Sequence, residues 1–498
     1  MKAVVRASQL TKETLVSRII PLLFIAILFM SIESLFAQNV TADGQVARGR
    51  ELFLHQWTPG DSLSPNGDGL GPMFNGKSCV ECHSLGGVGG SGESKRNAQF
   101  LSFLPESGKF TEDAIKSFLG RLKKMHPDFV DNKDQFSFGV LLHRQSTTPE
   151  YAEVHGEVTT PLVSNFDSRL RIRRMLSKRN IRPVDALPLK LVTYQDELQY
   201  ALAERNPPQL FGLDAIDRNI TDEDRQKIVE AQTKSRTGVS GRMAGKFGWR
   251  GQMRSLDLFV KGACATEIGL QVHEFEQTKD PLRQDYSLKG NDLSEQQVGD
   301  LIRYVRSFDM PRQVLPDNHL ELETIAEGNK LFTAIGCAEC HVADVGRVSG
   351  VYSDFLLHNM GTQFEDPIPA EPLTNVSEGA RMDVITSYHG MTRRPVSTEL
   401  VKTMEVGPEQ HTEYKTPPLW GIADSAPYMH DGRATTLRAA IEWHGGEAYS
   451  SFRRFSLLSE EKQFSLLKFL ETLKAPQSAE EAPRELIEDV AFIPTPSF

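Results

Sequence analysis

Apolar residues recur at helical spacing in four short stretches of the chain, and the four fall into two matched pairs. Ala47-Arg48-Gly49-Arg50-Glu51-Leu52-Phe53 and Ala326-Glu327-Gly328-Asn329-Lys330-Leu331-Phe332 each predict a short amphipathic helix. Further on, Leu301, Ile302, Val305 and Phe308 follow Leu293-Ser294-Glu295-Gln296. Leu466, Leu467, Leu470 and Leu473 follow Leu458-Ser459-Glu460-Glu461 at the same offsets. Ser294 with Gln297 fits a capping box, and Ser459 can cap the second of these helices. Between the first of these helices and Cys79 the chain is loop-like, with Pro59-Gly60, Pro65-Asn66-Gly67-Asp68-Gly69 and Gly71-Pro72. A long stretch from about 105 to 242 breaks the pattern. It predicts helices at Glu112 to Met125 and Asp222 to Thr233 and a crossing at Pro207-Pro208.

The N-terminus has a pattern of its own. Lys2, Arg6, Lys12 and Arg18 lead into the unbroken apolar run Ile19 to Met30, and Leu35-Phe36-Ala37 fits a small-residue cleavage site before Gln38. Twelve residues cannot span a bilayer, which needs about 20. Residues 1–37 therefore read as a signal peptide, which predicts an exported, periplasmic protein that is not integral to the membrane after cleavage. That segment carries four basic and two acidic residues, so without it the formal net charge moves from -10 to -12. An acidic chain has no electrostatic footprint for nucleic acid, although it suits a basic redox partner.

Cysteine usage supplies the chemistry. Four of the five cysteines lie in Cys79-x-x-Cys82-His83 and Cys337-x-x-Cys340-His341. Such a pair could be a redox dithiol or half of a zinc site, but the adjacent His and the exported compartment point to covalent haem. The two thiols add to the porphyrin vinyl groups and His83 or His341 becomes the iron ligand, which requires the three residues on one turn. Two motifs 258 residues apart predict two haems rather than one shared metal. Cys264, left alone in an apolar setting, reads as a buried packing residue.

The order helix, haem motif, long loop, helix thus occurs twice. It predicts a mainly α chain of two cytochrome c-like haem domains from an internal repeat, with long loops and a large insertion in the first. The expected boundaries are 43–310 for the first domain with its insertion over about 105–242, 311–317 for a linker, 318–475 for the second domain and 476–498 for a Pro- and Glu-rich tail.

Several further stretches carry a resemblance. Gly71-Pro72-Met73-Phe74-Asn75, Gly86-Gly87-Val88-Gly89-Gly90, Phe247-Gly248-Trp249, Leu357-His358-Asn359-Met360-Gly361, Thr416-Pro417-Pro418-Leu419-Trp420-Gly421 and Tyr428-Met429-His430-Asp431-Gly432-Arg433-Ala434 resemble the bacterial di-haem cytochrome c peroxidase superfamily. They are most similar to its di-haem oxidoreductase branch, described as peroxidases or thiol oxidoreductases. The resemblance implies two unequal haems, one storing an electron between two protein ligands and one open to peroxide. It places the second ligand of the C-terminal haem at His444, where the family usually has Met; Met360 and His358 are competitors. Imidazole for thioether should lower that haem's potential.

The resemblance also makes Glu267 the acid/base that moves a proton between the two peroxide oxygens, and Trp249 the relay between haems. Phe259 departs from the family, where a glutamine is common. A calcium ion near Ser425 and Pro427 is a further implication. The expected partners are a small redox protein or a quinone-linked electron donor or acceptor, and a small oxidant such as peroxide. Two other functions stay open: a pure electron carrier, with His126, His143 or His155 closing the first iron, and a haem-based binding or sensing module.

Overall fold

The glycine in each opening helix marks the point where two helices meet. The computed structural model describes residues 43–103, 112–126, 129–130, 135–136, 139–160, 192–194, 198–235, 237–283, 286–287, 289–364, 394–395 and 412–488. Its first helix, residues 43–54, crosses helix Glu295–Arg306 at Gly49, where a Cβ would stand 2.0 Å from the Asp300 carbonyl oxygen. Helix His319–Ala334 crosses Glu460–Leu470 at Gly328, and there the Ser465 carbonyl oxygen would lie at the same 2.0 Å. Any residue with a Cβ would push these backbones apart. The helices also start as predicted. Ser294 accepts from the Gln297 N–H while Gln297 reaches back to the Ser294 N–H, and Ser459 accepts from the Lys462 N–H.

Each crossing seals an apolar core. Phe53 meets Tyr304 and Phe308 edge-on, in a core with Leu52, Leu301 and Val305. Phe332 meets Phe469 in the same manner, in a core with Leu331, Leu466 and Leu470. Each such buried ring is worth about 1.5–3 kcal/mol over exposure. Both phenylalanines also wall the cavities described below.

The chain is mostly helical, and its largest sheet among the described residues was not announced by the sequence. Gly139–Leu142, Ala98–Phe103, Leu198–Arg205 and Val192–Tyr194 form, in that order, a four-stranded antiparallel sheet. Leu101, Leu142 and Tyr200 from the sheet, with Leu122, Met125 and Tyr151, form a third core. The predicted helices are present as Glu112–Met125 and Asp222–Ser235. The sheet begins at Ala98, before the expected start near 105. Ile216 and Ile220 bury themselves in the first core, so the chain has already returned there well before 242.

Within the stretch expected as a linker, the Val314 N–H donates to the Thr472 carbonyl at 2.8 Å. Residues 476–488 of the expected tail fold back onto the first half. The Val88 N–H donates to the Glu480 carbonyl at 2.8 Å, and Arg96 donates to the Ile487 carbonyl at 2.8 Å. Residues 1–37 lie outside the described residues. Among the described residues, no helix is long and apolar enough to cross a membrane.

Candidate haem sites

Each Cys-x-x-Cys-His stretch closes a single turn. Cys79–Cys82 is helical and the His83 N–H donates to the Cys79 carbonyl at 3.0 Å; the His341 N–H donates to the Cys337 carbonyl at 2.9 Å. Both thiols and the histidine therefore face one space. Cys79, Cys82 and His83 line a cavity of about 1430 Å³, and Cys337, Cys340 and His341 line another of about 1320 Å³.

The two histidines are set up as ligands. His83 Nδ1 lies 3.0 Å from the Pro208 carbonyl and 3.2 Å from that of Gly90, and His341 Nδ1 lies 3.0 Å from the Tyr352 carbonyl. A carbonyl only accepts, so Nδ1 carries the proton and Nε2 keeps its lone pair. Burial pushes both rings down to about 4, which keeps them neutral at physiological pH.

Across the second cavity, the ring of His444 stands 6.4 Å from that of His341, centre to centre. Two metal–imidazole bonds of about 2 Å each would place ring centres roughly 6 Å apart. His444 Nδ1 lies 2.8 Å from the Ala440 carbonyl, so Nδ1 carries the proton. Met360 lines the same cavity. His358 does too, but both its nitrogens are engaged, Nε2 with Asp354 and Nδ1 with Glu447, each at 2.8 Å. Burial opposes its proton, yet bonds to Asp354, Cys340 and Glu447 push it up to about 12. The expectation of His358 as a competing ligand is therefore corrected: it is a buried imidazolium between two carboxylates.

The first cavity is built on the same local plan. Phe247 and Met253 bridge across a turn with positive φ at Gly248 and Gly251, after which Ser255 caps helix Leu256–Glu267. Tyr428 and Ala434 bridge across a turn with positive φ at Met429 and Gly432, after which Thr436 caps helix Leu437–Trp443. Eight residues past the second cap stands His444; eight past the first stands Ala263. Ala263 lines the first cavity with Phe259, Val260, Cys264 and Glu267, on one face of the helix at spacings of one, four, five and eight residues.

Glu267, one turn beyond Ala263, is buried and oriented. Asn75 Nδ2 donates to its Oε2 at 2.6 Å, and the Arg144 N–H donates to Asn75 Oδ1 at 3.0 Å. His143 Nε2 meets the Thr266 carbonyl at 3.0 Å. Burial raises the Glu267 carboxyl above its ordinary value, against the Asn75 bond and the Arg144 charge. Cys264 is buried and pushed up to about 12 by that burial, as an inert packing thiol should be.

The histidines offered for closing the first iron do not reach it. His126 and His155 bond instead to Tyr151 and Gln99, and none of His126, His143 and His155 lines that cavity. They belong to the sheet-bearing stretch, whose fold could not be read from local pattern.

Trp249 joins the two sites. It lines both cavities, its Nε1 donates to the Asn206 carbonyl at 2.8 Å, and its carbonyl accepts from the Lys415 N–H at 2.9 Å. Beside it, Tyr414 stacks on His430 at 4.1 Å and lies under the Arg250 guanidinium. Asn75, Arg144, Tyr414 and Arg250 were missed in the sequence. Asn75 alone had a signal, its place in the Gly71–Asn75 stretch.

Comparison with known proteins agrees with this geometry. The family described as di-haem oxidoreductase, putative peroxidase matches residues 402–473. A cytochrome-c peroxidase, IdrP2 of Denitromonas iodatirespirans, is 27% identical over 185 residues, 35% of this chain and 47% of that protein. Both matches support a di-haem peroxidase-like superfamily. The match spans about half of that relative's length. Among solved structures, Kuenenia stuttgartiensis hydrazine synthase is similar at 17% identity over 54% of this chain and 73% of that one, with a TM-score of 0.30. A MauG-like protein associated with microbial copper homeostasis is 18% identical over 38% of this chain and 55% of that one, with a TM-score of 0.22. Neither overlay bears on the site.

Similarity to this di-haem family implies haem as the cofactor, and the residues present fit it. Each cavity is largely apolar and sets two thiols beside a neutral imidazole. Ser425 and Pro427, where the resemblance placed a calcium ion, line a third cavity whose charged groups, among the described residues, are Lys246 and Lys415.

Proposed function

We propose that this chain is a periplasmic c-type oxidoreductase of the di-haem peroxidase kind, exported by residues 1–37 and built from two cytochrome c-like domains that repeat one plan. One haem is held through Cys79, Cys82 and His83, the other through Cys337, Cys340, His341 and His444. When bound, the haem irons supply one-electron redox chemistry and an open coordination position. The observation that carries this reading is the exchange of His444 for Ala263. At the place where the second helix offers an imidazole, the first offers a methyl group and empty space.

Small oxidants fit that space. Glu267 sits one helical turn away, with its carboxyl aimed by Asn75 and raised by burial, so it can accept a proton from one peroxide oxygen and hand it to the other, which leaves as water. Phe53, Phe259 and Val260 keep bulk water off the exchange. Trp249, shared by both cavities, carries electrons between them. Reduction of one peroxide to two waters consumes two electrons and two protons, and a small redox protein or quinone-linked donor supplies the electrons.

Met253 favours a second reading, that of an electron carrier with both irons closed, because its thioether also lines the first cavity. Carbon monoxide binding and spin state, followed in the half-reduced protein, separate the two. The peroxidase reading expects one high-spin iron that binds carbon monoxide. If neither iron is high-spin or accessible in any redox state, Met253 or another group closes the site and the reading fails.

A further inference from the structure

A third cavity, of about 900 Å³, lies where the two haem cavities approach each other and shares Trp249 with both. Lys415 lines it and the second haem cavity alike. The side chain is only 8% exposed. Its backbone is fixed, with the N–H bound to the Trp249 carbonyl and the strand Glu413–Lys415 paired to Leu357–Asn359. The ammonium lies 5.5 Å from the ring centre of Phe355 and has no hydrogen bond or ion pair among the described residues.

The surroundings do not balance its charge. Asp354 is the nearest carboxylate to act on it, but that group already binds His358 and Gln232. Arg225, which repels it, is directed at the Ala244 and Phe355 carbonyls and at Asp222. Burial drives Lys415 down to about 8, still charged for the most part at neutral pH. A second donor faces the same cavity unpartnered. Trp420 Nε1 is buried with no acceptor, and Trp420 itself is 1% exposed. Gln209 Oε1 and Ser91 Oγ are unpartnered buried acceptors on the same wall, which leaves room for a bridging water.

A buried ammonium without a counter-charge is strongly unfavourable, and two donors without acceptors define a place for an anion. We infer that Lys415, with Trp420 Nε1 in the same cavity, is the seat of a carboxylate: a propionate of the haem held at Cys337, Cys340 and His341. The cavity shared by Lys415 and those three residues puts the haem edge within reach. A small free anion such as phosphate is the other source of the same chemistry. The inference rests on haem loading at that motif and not on the peroxidase reading, which carbon monoxide binding at the first iron tests separately.

A cation beside that carboxylate favours the reduced, more negative state of the second haem. Redox titration of the fully loaded protein, resolving both haems, tests this in wild type, Lys415→Met, Lys415→Arg and Trp420→Phe, with and without added phosphate. Lys415→Met should lower the midpoint potential of the second haem and leave the first in place. Lys415→Arg should restore most of the shift, and Trp420→Phe should give a smaller fall. If phosphate moves the wild-type potential and Lys415→Met abolishes that response, the carboxylate seat takes a free anion instead. The inference is overturned if Lys415→Met and Trp420→Phe leave the second potential where it was at every phosphate concentration. Equal displacement of both haems, unrepaired by Lys415→Arg, would overturn it as well.

Discussion

Eight residues past its capping serine the first cavity's helix carries Ala263; eight past its capping threonine the second cavity's helix carries His444. The bridged turns that precede them match in hydrogen bonding and in the two positive-φ positions. The first helix then runs a further turn to Glu267, whereas the second stops at Trp443. One local plan thus places a methyl group near a carboxylate in one cavity and an imidazole facing an imidazole in the other. On the function proposed above, that single side chain sets which chemistry each site performs.

The most direct way to break this comparison is to make the first cavity a copy of the second. Ala263→His should turn the first haem low-spin, abolish carbon monoxide binding and cut peroxide turnover by more than the roughly 10²–10⁴-fold expected for a lost acid/base. Retained carbon monoxide binding would show that Ala263 does not face the iron. Glu267→Gln keeps the open position and removes the proton carrier. Turnover should fall roughly 10²–10⁴-fold with both haems still attached, as read from their visible spectra.

Asn75→Ala probes the same carboxyl from outside. The Asn75 bond favours ionised Glu267, so its removal raises that group further and the base form emerges only at higher pH. The acidic limb of the pH–rate profile should move upward, with turnover at pH 7 roughly tenfold slower, the scale of one hydrogen bond to a charged group. In the second cavity, His444→Met should raise that haem's midpoint potential while leaving carbon monoxide binding at the first unchanged.

A smaller difference concerns pH. His126, His143 and His155, in the stretch that packs beside the first cavity, are pushed by burial down to about 3, 4 and 4. The unfolded chain binds protons at those sites first, so their contribution is present above about 6.5 and is lost as pH falls toward 4. His358 beside the second cavity has the opposite sign. Raised to about 12, it contributes fully below about 6.5 and loses that contribution as pH rises toward 12. Acid should therefore disturb the first haem's spectrum before the second's, and alkali the reverse, in a paired pH titration.

Much of this was legible without coordinates. The two Cys-x-x-Cys-His turns, the Ser294–Gln297 capping box, the Ser459 cap and the two helix pairs depend on neighbours in sequence or on a repeat that the sequence displays twice. The sheet was not legible. Ala98-Gln99-Phe100-Leu101-Ser102-Phe103 fits neither helical nor alternating period cleanly, and its partner strand lies about a hundred residues away, where Gln99 pairs with Glu204. Strand formation there follows from cross-strand packing rather than from local preference. The displaced expectations, His358 as ligand and His126, His143 or His155 at the first iron, failed for the same reason. Each histidine had a nearer partner that only folding supplied.

The sequence by itself determined that the chain holds two contiguous thiol, thiol and imidazole turns and that two helix pairs frame them, because covalent attachment and helical periodicity are both short-range. Tertiary structure decided the geometry opposite each imidazole: His444 at 6.4 Å from His341, Ala263 and Glu267 on the wall that His83 shares, and Lys415 without an ion pair among the described residues where the cavities approach. Those relations join residues tens to hundreds of positions apart, and ligand choice, proton position and charge balance are set by distance in space.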